Sequence, residues 1–169
     1  MKMALSPLKE SHNRKRFDCG NERINKFLKE SANSAAKRNL SRTFVLEGSD
    51  ETDIAGFYSL SNIEVKVPVP HKLYKKYPNP LPGVTLARMG VDQGYQGQGI
   101  AKIMIVDAMR RTLLINENMG VVGLFVDAKD DDLVKFYQNR GFIFLQKEEH
   151  TSKLWMPIDS IVTFFKDRK

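Results

Sequence analysis

The stretch DQGYQGQGIAKIMI, residues 92–105, holds three glycines within six residues, Gly94, Gly97 and Gly99, between two apolar runs. Before it, GVTLARMGV reads as a buried strand over Val84 to Val91. After it, IAKIMIVDAMRRTLL repeats Ile100, Ile103, Met104, Val106, Met109, Leu113 and Leu114 at helical spacing. Strand, glycine loop and helix in that order offer backbone N–H groups and the positive end of a helix to an anion.

Three nucleotide loops compete for that anion. A phosphate loop of the G-x-x-x-x-G-K-[ST] kind uses Lys against phosphate and Ser/Thr on magnesium. Gly94 and Gly99 have its glycine spacing, but Ile100 and Ala101 stand where Lys and Ser are needed. A dinucleotide loop, G-x-G-x-x-G, would put Lys102 at its third glycine, where a long side chain obstructs close helix–strand packing. What remains is a pyrophosphate cradle built from backbone N–H groups without a metal.

The rest of the chain frames this unit. Asn21 to Lys37 places Ile24, Phe27, Leu28, Ala32, Ala35 and Ala36 on one helical stripe. RTFVLEG and DIAGFYSLSNIEVKV read as strands around the turn GSDET. Residues 68–82, PVPHKLYKKYPNPLP, contain five of the seven prolines and read as a loop over the surface or along a cleft. VVGLFVD follows the glycine unit as a buried strand. DDDLVKFYQNRG reads as a short helix that starts on Asp and ends at Gly141, and FIFLQ and KLWMPI as closing strands. Strands alternating with helices after residue 84 favour an α/β or α+β sheet in a single domain over 1–169.

Composition narrows the function classes. The N-terminus has no apolar core of signal-peptide length and no run approaches a membrane span, so neither secretion nor a membrane partner is expected. A single cysteine, Cys19, suits a reducing cytoplasm. His12, His71 and His150 show no metal-ligand spacing, so no metal is expected. The net charge of +7 lies wholly in residues 1–42, with 11 Lys/Arg against 4 Asp/Glu, while the other 127 residues hold 16 of each. That asymmetry suits a polyanion such as nucleic acid, or a solvated basic face.

Gln96-Gly97-Gln98-Gly99-Ile100-Ala101 resembles the Q/R-x-x-G-x-G/A loop with which GNAT acetyltransferases grip the pyrophosphate of acetyl-CoA. Gln96, Gly99 and Ala101 fall on its defining positions, and KFYQNRGF is similar to the FY…GF signature that closes the acetyl-CoA half of that fold. FDCGNERINKFLKESANSAAKRNLSRTFVL and PNPLPGVTLARMGVD resemble one branch, the tRNA-acetylating toxins of bacterial toxin–antitoxin pairs. The resemblance covers nearly the whole chain. It implies a mixed, mostly antiparallel sheet flanked by helices and splayed around acetyl-CoA. It also implies translation-blocking acetylation of the α-amino group of aminoacyl-tRNA. A ribbon-helix-helix antitoxin would be a partner, DNA would be reached only through it, and a homodimer is admitted.

By the same resemblance, backbone N–H groups of Met89, Gly90 and Val91 would hold the thioester carbonyl and pantetheine arm. Gln96 to Lys102 and Phe136 would contact the cosubstrate, although Lys102 also reads as solvated. Tyr137 would donate a proton to the departing thiolate, a task a phenol can perform; by spacing alone it reads as core beside Leu133 and Phe136. An α-amino group, with a pKa of about 7.7–8.0, needs no dedicated strong base. Lys37, Arg38, Arg42 and Arg88 are the candidate tRNA contacts, and each also reads as a solvated or structural charge. Cys19 and Trp155 read as packing. Two other functions stay open: an acetyltransferase for small or protein amines, which would work without RNA, and a non-catalytic nucleic-acid-binding module.

Overall fold

The computed structural model describes residues 4–68 and 72–168. Its seven strands are β1 (Ser6–Pro7), β2 (Arg42–Glu47), β3 (Ile54–Val65), β4 (Leu81–Val91), β5 (Gly123–Ala128), β6 (Ile143–Lys147) and β7 (Ser152–Pro157). They form one sheet in the order β1-β2-β3-β4-β5-β7-β6. The registered pairs β1–β2, β2–β3, β5–β7 and β6–β7 are antiparallel, and β4–β5 is parallel. The helices are α1 (Glu22–Lys26), α2 (Ala32–Lys37), α3 (Ile100–Asn118), α4 (Asp131–Gln138) and α5 (Ile158–Lys166). This is the mixed, mostly antiparallel sheet with flanking helices that the resemblance implies.

The chain divides into two compact units, Met1–Ser61 with Leu86–Ala108, and Asn62–Thr85 with Met109–Lys169. In the first, β2 and β3 pair from Arg42↔Leu60 to Glu47↔Ile54, with a bulge at Leu46/Glu47. Their inward residues Val45, Ile54 and Phe57 close a core with Phe17 and Leu28. Phe17 meets Phe57 edge-on, with ring centroids 5.3 Å apart. Asn21 caps α1 by accepting the N–H groups of Arg23 and Ile24, as expected of Asn at an N-cap. Between α1 and α2 the helix widens into a π turn, Phe27–Ser31, which the apolar stripe does not reveal.

In the second unit, Val65, Val67, Leu81, Phe125 and Trp155 form the core. Phe125 stacks on Trp155 at 5.6 Å, a pairing worth about 0.5–1.5 kcal/mol beyond area burial. Gly83 permits it, since a Cβ there would lie 2.3 Å from the Phe125 ring.

Three boundaries differ from the sequence reading. Leu81 and Pro82 belong to β4 and not to the proline-rich loop, because Leu81 is buried in the second core. Lys72–Lys75 of that loop coil into a 3-10 turn, and residues 69–71, His71 included, lie outside the described residues. Tyr77 from the same segment meets Trp155 edge-on, so this end of the segment packs on the core of its unit. After β7 the chain continues into α5, which the sequence reading left unassigned; Ile161 is its buried anchor. Among the described residues no helix is long and apolar enough to cross a membrane.

Candidate functional site

The glycine loop begins where β4 ends. Asp92 donates its backbone N–H to Ala55 O at 2.9 Å. Its carboxylate accepts from Gly94 N at 2.9 Å and Asp18 N at 3.0 Å. Tyr95 reaches back to the β2–β3 turn, donating its hydroxyl to Asp53 and accepting from Ser49 N at 2.9 Å. Gln96 spends its side-chain amide on two carbonyls, Val91 O at 3.0 Å and Cys19 O at 3.2 Å. Gln96 therefore acts through its side chain as a strut that holds the loop against the end of β4.

Between these anchors and α3, the loop is open. Gly97 and Gly99 sit at φ +81° and +77°, the left-handed region that disfavours side chains, and a Cβ on either would meet nothing within 4 Å. Gly99 O accepts the N–H of Ile103 at 3.2 Å, so the amides of Ile100, Ala101 and Lys102 precede the first i→i−4 bond of α3. No acidic side chain occupies the first turn, and Lys102 is exposed there. The arrangement fits a pyrophosphate: unshielded N–H groups, a positive helix end, and empty space where side chains would stand.

Upstream on β4, Met89 and Val91 are half-buried, whereas Gly90 is buried for a packing reason. A Cβ on Gly90 would come 2.9 Å from Ile24 and 3.2 Å from the Cys19 sulfur. Cys19 is half-buried, and desolvation pushes its thiol pKa up, as suits a packing residue. The segment from Asp18 is held by Asn25, a buried polar residue that the helical stripe had not flagged. Asn25 accepts from Cys19 N and donates to Asp18, each at 2.9 Å. Hydrogen bonds from Gly20 N–H, then from Asn25, hold the Asp18 carboxyl below its ordinary pKa.

The four candidate RNA contacts fall into three settings. Lys37 ends α2 and Arg38 follows it, both exposed. Arg42 is committed to the protein, donating to Ala36 O at 3.0 Å, Ser41 O at 3.2 Å and Asn39 Oδ1 at 3.0 Å. It thereby adds a second donor to Ala36 O, which also accepts Asn39 N at 3.1 Å, reinforcing the C-terminal end of α2. Arg88 is exposed and lies over the Phe27 ring, 5.0 Å from its centroid. Phe27 in turn stacks on Phe57.

In the second unit, Asp130 caps α4 by accepting Leu133 N at 2.8 Å, and Gly141 leaves the helix at φ +97°. Tyr137 is 5% exposed and packs edge-on against Phe136 and Phe142 at 5.4 and 5.3 Å. Its hydroxyl has no hydrogen-bond partner among the described residues. Burial, and secondarily the charge of Asp127, push its pKa up to about 12. Phe136 is half-buried, with the Arg140 guanidinium 4.2 Å over its ring. A charge network that the sequence did not reveal stands nearby. Lys153, buried on β7, lies 2.8 Å from Asp127 directly across on β5 and 3.6 Å from Glu148. Among the described residues no group of His, Cys, Asp or Glu is placed to hold a metal.

Comparison with known proteins matches residues 16–156 to the acetyltransferase (GNAT) domain. A probable toxin TacT of Sinorhizobium fredii (strain NBRC 101917 / NGR234) is 26% identical over 152 residues, 83% of this chain and 84% of that protein. A tRNA-acetylating toxin of Mycobacterium tuberculosis (strain ATCC 25618 / H37Rv) is 27% identical over 127 residues, 75% of each. Among solved structures, a Tyr→Phe mutant of KacT superposes with TM-score 0.85 at 31% identity, covering 96% of this chain and 98% of that one. AtaT complexed with acetyl-methionyl-tRNAfMet gives 0.85 at 30%, covering 96% and 98%. A Tyr→Phe mutant of AtaT bound to acetyl-CoA and the C-terminus of the antitoxin AtaR gives 0.80 at 27%, covering 96% and 97%. The AtaT–AtaR complex bound to DNA gives 0.77 at 27%, covering 96% and 99%.

Proposed function

The chain belongs to the acetyltransferase (GNAT) domain family, and from that premise we propose that it acts as a bacterial cytoplasmic toxin. It transfers acetyl from acetyl-CoA to the α-amino group of aminoacyl-tRNA and so blocks translation, the whole chain serving as one domain. The observation that carries this reading is the likeness, over 96% of the chain, to a toxin solved with an acetylated aminoacyl-tRNA.

In this reading the amides of Gly97 to Lys102 take the pyrophosphate, with Gln98 and Phe136 beside the cosubstrate and Gln96 holding the loop in shape. Backbone N–H groups of Met89 to Val91 face the thioester carbonyl and the pantetheine arm, where fixed donors stabilise developing negative charge. The neutral α-amine attacks that carbonyl; the N–C bond forms, the C–S bond breaks, and the amine sheds one proton. Tyr137 stays protonated through neutral pH, so its O–H is always available to the departing sulfur. A phenol pushed up to about 12 is a weaker acid than a thiol, so full proton transfer from it to the thiolate is uphill. Its contribution is a hydrogen bond to the sulfur as charge develops, and the proton lost by the amine neutralises the thiolate.

Lys37, Arg38 and Arg88 are the cations offered to tRNA phosphates, while Arg42 keeps the α2 end in place. A ribbon-helix-helix antitoxin binds the toxin, with DNA reached through it, and a homodimer is compatible with the reading. The test is release of free CoA thiol with charged, uncharged and absent tRNA. The reading expects release only with charged tRNA; equal release on small amines without RNA would overturn it.

A further inference from the structure

The glycine loop is gripped by an element that none of the proposed roles uses, the tip of the β2–β3 hairpin. Gly48 to Asp53 form that tip, in the same compact unit as the loop. It is a closed structure of its own. Gly48 N donates to Asp53 O at 2.9 Å. Asp50 Oδ1 accepts Thr52 N at 2.8 Å, Thr52 Oγ1 at 2.7 Å and Asp53 N at 3.0 Å. Those bonds, the Thr52 hydroxyl first, hold the Asp50 carboxyl below its ordinary pKa. Thr52 O accepts Asn13 N at 2.7 Å, which ties the tip to the segment before α1.

Tyr95 docks into this tip. Its hydroxyl donates to Asp53 Oδ2 and accepts from Ser49 N at 2.9 Å. Asp53 is 7% exposed and has no ion pair among the described residues. Ser49 Oγ reaches its carboxylate only at 3.4 Å. A buried carboxylate is costly unless donors satisfy it, so Asp53 holds the Tyr95 hydroxyl firmly. Gly48 makes the room: a Cβ there would lie 2.6 Å from Tyr95 Cζ and 2.7 Å from Asp53 Oδ2. Its φ is not positive, so the demand for glycine at 48 is one of space.

Tyr95 stands two residues before Gly97. From Gly97 to Gly99 the loop is open, and Gln98 between them makes no hydrogen bond among the described residues. The conformation of the open part is therefore set from its ends, Tyr95 and Gln96 on one side and α3 on the other. We propose that Tyr95 is a positioning residue for the cosubstrate. Locked into the hairpin tip, it fixes the path of Gly97 to Lys102, so that their amides converge on the pyrophosphate before it arrives. The inference rests on the pyrophosphate reading of the loop, and it extends the binding machinery to Gly48, Ser49 and Asp53.

The test is calorimetry of the full chain with CoA, on variants shown to melt cooperatively. Tyr95→Phe should raise the Kd about tenfold, the scale of one hydrogen bond to a charged group. Gly48→Ala, which expels the ring by a different route, should do the same. In a Tyr95→Ala background Gly48→Ala should add less than twofold, because the contact it disrupts is already gone. The KM for acetyl-CoA should rise with the Kd, while kcat at saturation and the KM for aminoacyl-tRNA stay within twofold, a split that general loosening of the fold would not produce. Unchanged CoA affinity in Tyr95→Phe, or an equal cost of Gly48→Ala with and without the ring, would overturn the proposal. A parent protein that binds no CoA would overturn the pyrophosphate reading and this inference with it. A parent that binds CoA but acetylates no charged tRNA would count against the toxin reading alone, and the calorimetric comparison would still decide the role of Tyr95.

Discussion

Replacing Tyr137 by phenylalanine removes one oxygen from a ring that is 5% exposed and preserves its packing on Phe136 and Phe142. The hydroxyl has no protein partner among the described residues, so its loss orphans nothing and stability near neutral pH should barely change. At high pH the two proteins should part. The folded pKa is about 12 against an ordinary 10.0, so the fold resists ionisation of this phenol. A raised pKa contributes stability that is intact below pH 10 and is lost as pH rises from 10 to 12. The full loss is about 2.7 kcal/mol, of which about 1.4 is gone at pH 11. For a chain of this length that is roughly 3–6 °C in Tm. Thermal melts at pH 8 and pH 11 should show the parent falling by that much more than Tyr137→Phe; the other tyrosines cancel in the difference. Single-turnover acetyl transfer should meanwhile drop about 10²–10³-fold, the cost of removing one aimed donor, with acetyl-CoA affinity unchanged. Equal melting losses would refute the burial argument. A rate within a few-fold of the parent would return Tyr137 to the core.

Gly99→Glu should fold, because its Cβ enters open space, at a cost of about 1–3 kcal/mol for the left-handed backbone. It should lose acetyl-CoA binding by calorimetry, since the carboxylate enters the anion site, whereas Gly99→Ala, with the same strain and no charge, should retain it. Lys37→Ala with Arg38→Ala should weaken tRNA binding and flatten the log K against log salt slope by about 1.4–1.8, two counterions' worth; an unchanged slope would make both residues solvated charges. Arg42→Ala should act differently, lowering Tm by roughly 2–4 °C through the freed α2 end while changing the salt slope little beyond that loss.

The glycine loop was legible because its demands are local: two left-handed residues and a helix start within a few positions. What Gln96 does was not, since its partner Cys19 O lies 77 residues away, and only the folded register brings them together. The hydrogen bonds of Arg42 to Ala36, Ser41 and Asn39 were hidden in the same way, because a basic side chain near a helix end looks alike whether it bonds carbonyls or faces solvent. The π turn at Phe27–Ser31 leaves the apolar periodicity nearly intact, so a stripe could not reveal it. Lys153 and Asp127 became a pair only once β5 and β7 set their register, and α5 was hidden by the short apolar run that precedes it. Tyr137 was ambiguous by spacing, and burial alone does not decide its role: the structure makes it both core and proton-bearing.

The most direct test of the central claim incubates the purified chain with acetyl-CoA and a complete set of individually charged tRNAs, then reads the aminoacyl ends by mass spectrometry. The account predicts a mass increase of one acetyl group on the α-nitrogen of one or a few aminoacyl-tRNAs, lost in Tyr137→Phe and in Gly99→Glu. No acetylated aminoacyl-tRNA from a folded protein that binds acetyl-CoA, together with acetylation of a free or protein amine in the absence of RNA, would contradict it.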